Sequence, residues 1–164
     1  MWSVVFLLRG TDLAAFGRCL SPALPIRSVA GFALGLMVLN TVAWLNGILP
    51  AVASADPRGF LADTGLLTNV VYIQDFAIWL PLLATAAVAA WRHRAWGQLV
   101  TAGMLVMFVL ECISIAADQY FGWHADATFS SIAMVPAFLI AAVIIAVPLL
   151  LFLRHVDRPA HSAG

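Results

Sequence analysis

At 164 residues and a formal net charge of zero, the chain has room for one helical bundle and no separate soluble domain. It offers no basic face of the kind that binds nucleic acid. Hydrophobic residues make up 63% and charged residues 10%, a balance that excludes an ordinary water-soluble domain and points to an integral membrane protein.

In chain order, 1–27 comes before any span. Met1–Leu8 is apolar but too short to cross a bilayer, and Arg9 and Asp12 interrupt it. It lacks the charged leader and small-residue cleavage pattern of a signal peptide. Thr11 or Asp12 caps a short helix in which Leu13, Phe16 and Leu20 share a face, and Ser21-Pro22 ends it. The segment reads as an amphipathic helix on the cytoplasmic surface. The alternative is a start inside a longer amino terminus whose first span is partly missing.

Four apolar runs follow, at 29–50, 69–91, 95–117 and 131–153. Each supplies the roughly 20 helical residues that cross a hydrocarbon core. Span one contains Gly31-x-x-x-Gly35, the spacing that lets two helices approach closely. The loop after it starts with a turn at 56–59, and its 60–67 piece forms at most a short interfacial turn. Thr68-Asn69 caps span two, where Pro81 removes one backbone donor, frees the Ala77 carbonyl and predicts a kink. Trp91 and Trp96 flank a tight Arg92-His93-Arg94 hairpin, making spans two and three antiparallel neighbours. Tyr120, Phe121 and Trp123 form the matching aromatic belt outside. Span four, with Pro136 and Pro148 and no charge, is a bent packing element.

The expected fold is therefore all-α, a polytopic four-transmembrane-helix bundle with a short N-terminal interfacial helix. Residues 28–154 make the bundle and 155–164 a cytoplasmic tail. Arg9, Arg18, Arg27, Arg92, Arg94, Arg154 and Arg158 fall on one side, and only Arg58 falls on the other. This positive-inside bias puts both termini in the cytoplasm. All eight basic residues are Arg, which with the Ala and Val richness suggests a GC-rich bacterial genome and a bacterial plasma membrane.

Two carboxylates lie inside the spans. Asp75 is six residues past Asn69, and Glu111 six residues before Ala117; both sit about 9 Å below the outer boundary. On neighbouring helices they occupy one layer. Tyr72, Asp75 and Trp79 share a face of span two, and Met104, Met107, Glu111, Ser114 and Asp118 make a stripe on span three. Asn40, Trp44 and Gly47 present a matching face from span one. An ionised carboxylate in hydrocarbon must be protonated, hydrogen-bonded, wet or cation-bound. One shared proton or one bridging cation is the expectation. The bland alternative is an acid hydrogen-bonded to Tyr72, Asn40 or Ser114 that locks the bundle. The candidate ligand set is Asp75, Glu111, Tyr72, Asn40, Ser114 and Asp118.

His124 reads as a solvated loop residue, because its spacing to Asp118 and Asp126 matches no metal motif. Cys19 and Cys112 form no C-x-x-C. No metal, cofactor or catalytic set is assigned.

Thr68-Asn69-x-Val71-Tyr72-x-x-Asp75, then Leu80-Pro81, then Trp91-Arg92-x-Arg94-x-Trp96-Gly97 resembles the pattern of a group of uncharacterised four-span bacterial integral membrane proteins. The resemblance covers about 27–154. The group has no established activity, so the resemblance implies a four-span fold and no chemistry. It also implies that Tyr72 and Asp75 belong to a shared pattern, with Glu111 outside it.

Three roles fit. The first is an accessory or structural subunit, a homo-oligomer or part of a larger membrane complex, which suits the small size and the Gly31/Gly35 face. The second is binding or transport of a cation, proton or small polar ligand at Asp75 and Glu111. Met104 and Met107, below Glu111, weigh against a continuous polar route. The third is a lipid- or isoprenoid-acting enzyme using the two acids as general acid and base.

Overall fold

The computed structural model describes residues 2–54, 70–125 and 130–156, and among them every element is a helix. They are α1 (Trp2–Gly10), α2 (Leu13–Arg18), α3 (Ile26–Ala53), α4 (Val70–Trp91), α5 (Ala95–Ala125) and α6 (Met134–Arg154). The last four are long and apolar enough to cross a membrane. The fold is an all-α bundle, and the chain is a multi-pass membrane protein. The Thr68-Asn69 cap, the 56–59 turn, the 60–67 piece, Asp63, Asp126 and Arg158 lie outside the described residues.

Helix ends depart from the hydropathy limits for local reasons. α3 starts just after Pro25 and runs through Pro50 to Ala53. A proline this close to the end removes one bond, and the next turn still closes when the Ser54 N–H donates to the Pro50 carbonyl at 3.0 Å. α5 continues eight residues past Ala117. Polarity rises at Asp118, but nothing there breaks a helix, so the apolar stretch ends before the helix does. At 31 residues it is about 46 Å long, well beyond a hydrocarbon core of about 30 Å. The belt residues Tyr120, Phe121 and Trp123 ride on this extension. α6 begins at Met134, not Ser131, because 131–133 form a turn with the Met134 N–H bonded to the Ser131 carbonyl at 3.0 Å. The Gln119 side chain accepts the Ser131 N–H at 2.9 Å and ties that turn back to α5.

α3 packs chiefly on α4, α4 on α5, and α5 on α6. The hairpin between α4 and α5 is as tight as the sequence predicts. The His93 N–H bonds the Ala90 carbonyl and the Arg94 N–H the Ala89 carbonyl, with His93 at φ 57°. That closes α4 with a left-handed residue, a place usually taken by glycine. On α5, a Cβ at Gly97 would meet the Ala89 Cβ at 2.5 Å and the Ala90 nitrogen at 2.6 Å. Glycine there is what lets the two helices touch.

The core gathers at the end that carries the hairpin arginines. α3 buries only Ile26, Val29, Ala30 and Ala33. These meet Leu83, Ala86, Ala87 and Ala90 of α4, Val100 and Leu105 of α5, and Leu149 and Phe152 of α6. The segment holding α1 and α2 joins the same end. Leu20 bridges to Val156, and the Ser21 N–H donates to the His155 carbonyl at 2.9 Å. Asp12 caps α2, with Phe16 packed on the core. α1 lies deeper than a surface helix needs to: its Val4 and Leu7 line a cavity with Trp79 and Met107.

Candidate functional site

Asp75 opens a five-residue π-helical segment, Asp75–Trp79, inside α4. Pro81 explains where the irregularity falls. It has no N–H to continue the ladder, and upstream the Leu80 N–H reaches back five residues to the Asp75 carbonyl. The expected kink is thus realised as a widened turn. The extra residue re-aims the Asp75 side chain, which is only 7% exposed.

The partner of that carboxylate comes from α3. The Trp44 indole N–H donates to Asp75 Oδ2 at 2.6 Å, a short hydrogen bond. The Tyr72 ring meets the Trp44 ring edge-on, centroids 4.5 Å apart at 60°. Trp44 is therefore held by an aromatic contact on one side and the acid on the other.

Asp75 and Glu111 line one groove of about 430 Å³ between α4 and α5. Gln74 and Ser114 add polar groups, and Trp79 and Met107 close the deeper end. Among the described residues, no basic side chain lines it. Trp79 and Met107 also border the second cavity of about 180 Å³, where Val4, Leu7, Gly103 and Met104 make an apolar wall. The groove therefore turns from polar to apolar as it deepens.

Of the six sequence candidates, Asp75, Glu111 and Ser114 share the groove. Tyr72 stands behind it on Trp44. Asn40 is half-buried one turn before Trp44 on α3, and Asp118 is exposed on α5; neither lines the groove. Residue spacing misses two features: the Trp44 bond and Gln74. Trp44 had a readable signal, since an indole N–H in hydrocarbon needs an acceptor and Asp75 is the strongest one at that depth. The π segment has no comparable sequence mark beyond Pro81.

His124 is not in a loop. It sits in the last turn of α5 with its Nδ1 2.8 Å from the Tyr120 carbonyl, its ring against Tyr120 and Trp123. Cys19 and Cys112 are unpaired thiols. Among the described residues, no three His, Cys, Asp or Glu side chains converge. No family model, no curated protein and no solved structure matches the chain, so its site is read from its own chemistry.

Proposed function

We propose that this chain is a small bacterial plasma-membrane protein, with both termini cytoplasmic, that holds a cation, a proton or a small hydrogen-bond-donating ligand between Asp75 and Glu111. One observation carries the reading: a buried carboxylate anchored by Trp44 opens with a second carboxylate onto a groove that no basic side chain among the described residues lines. Such acids in hydrocarbon need donors or positive charge. Trp44 supplies one donor, and a bound ligand supplies the rest. The arginine bias supports a groove that opens in the outer half of the bilayer. Its apolar deeper end, walled by Trp79 and Met107, favours binding over passage.

Native mass spectrometry of the protein released from detergent tests this. A reproducible retained mass that disappears in Asp75→Asn, with folding intact, is the expected result. A bare chain in both proteins overturns the cation and the ligand and leaves only a proton shared by the two acids.

A second reading, an accessory or structural subunit of a membrane assembly, draws on α3. Only 17% of its apolar window is buried within the chain, and a Cβ at Gly35 would meet nothing within 4 Å. Gly31 is already used against Trp91, so the face left for a partner begins at Gly35. This reading expects Gly35→Leu to break an assembly that Asp75→Asn leaves intact.

A further inference from the structure

At the opposite end of α4 from Asp75 is a second groove, of about 620 Å³, with the reverse charge. Its floor is Ala84, Thr85 and Val88, on one face of the last turns of α4. Arg92 and Arg94 stand at its mouth, and Trp96, at the start of α5, forms a wall. Among the described residues, no acidic side chain lines it. The Thr85 hydroxyl is spent on the Pro81 and Leu82 carbonyls at 2.8 and 3.0 Å, leaving an apolar floor. The left-handed His93 turn and its two backbone bonds fix where the two arginines leave the helix.

We infer that this groove is a binding site for an anionic phospholipid, its phosphate between Arg92 and Arg94 and an acyl chain along Ala84, Thr85 and Val88. Arg forms bidentate, charge-assisted bonds to phosphate oxygens, and basic pockets between spans select acidic headgroups in this way. The indole of Trp96 suits headgroup depth. A free phosphate uses only the mouth; the floor calls for a chain. The inference does not depend on the Asp75 groove.

The test is native mass spectrometry of the full chain in neutral detergent, titrated with phosphatidylglycerol or phosphatidylcholine of identical acyl chains. Phosphatidylglycerol is expected to be retained one per chain with a preference of about tenfold or more. The double variant Arg92→Gln/Arg94→Gln should bring the two lipids to parity. Both side chains are exposed, so its unfolding temperature without lipid should match the parent. Arg154→Gln, an arginine at the same end but outside the groove, should leave the preference unchanged. A short-chain phosphatidylglycerol should bind far more weakly. Equal retention of both lipids by the parent, or an equal loss in Arg154→Gln, overturns the site as diffuse surface charge. Undiminished short-chain binding overturns the acyl floor.

Discussion

The two halves of the bundle are built on different rules. Along α3, Ile26, Val29, Ala30 and Ala33 are buried at the arginine end, Val29 at 1% exposure, whereas toward the Asp75 end Leu39 is 66% exposed. Side-chain size accounts for the contrast. The closed half is packed through Ala30, Ala33, Ala86, Ala87 and Ala90, and small residues let helix backbones approach. In the open half, α3 and α4 meet through the bulky rings of Trp44 and Tyr72, and α4 is widened by its π segment. One half supplies stability, and the other leaves open the groove lined by Asp75 and Glu111.

Truncating a leucine in each half is the sharpest way to break this comparison. Leu83→Ala should cost about 2–5 kcal/mol, because the cavity it leaves cannot collapse in a packed site. Leu110→Ala should stay within about 0.5 kcal/mol, since its side chain faces outward. Unfolding titrations in mixed micelles measure both. Equal losses would mean that the outward face at Leu110 is covered by a partner as closely as Leu83 is by its own bundle.

The next effect belongs to the tie across the open half. Trp44→Phe keeps a ring beside Tyr72 but removes the donor to Asp75 Oδ2. A buried acceptor left without its partner costs about 1–3 kcal/mol. A double-mutant cycle with Asp75→Leu, which removes the acceptor that Asn would keep, should show coupling of at least about 0.5 kcal/mol. Strict additivity would remove the bond from the account of the site.

Among the described residues, the closed half holds an unmatched hydroxyl. Thr101 is 1% exposed, and its Oγ1 has no hydrogen-bond partner. Thr101→Val deletes an unmatched hydroxyl while keeping the branched shape. It should raise stability by about 1 kcal/mol, read by the same titration. A loss would show that the hydroxyl is satisfied within the membrane.

Much of this was legible in the sequence, and the exceptions have physical causes. The four spans, the hairpin at Arg92–Arg94 and the shared layer of Asp75 and Glu111 follow from hydropathy and from a rise of about 1.5 Å per residue. The length of α5 did not follow, because hydropathy reports where the lipid stops and not where the helix stops. Asn40 and Asp118 were drawn into the site by periodicity, which places residues on a face without saying how far neighbouring helices splay. The split into closed and open halves needed the relative sizes of facing residues, and those are fixed only once the helices are paired.

The smallest effect lies outside the spans, where α2 docks onto the closed half. Asp12 Oδ1 accepts the N–H groups of Ala14 and Ala15, both at 3.0 Å. The Ala15 bond, opposed by desolvation and then aided by the Ala14 bond and the charge of Arg18, holds its carboxyl below the ordinary carboxylate range. The proton therefore binds the capped state less readily than the frayed one. Protection of α2 should be complete above the ordinary carboxylate pKa and should fade as pH falls through the lowered one. Asn caps as well as Asp but does not titrate, so Asp12→Asn is the reference at every pH. Hydrogen exchange across Leu13–Arg18 should show wild type and Asp12→Asn diverging only on the acid side. Parallel curves would mean that the backbone contacts at Ser21 and Leu20, not the cap, hold this segment in place.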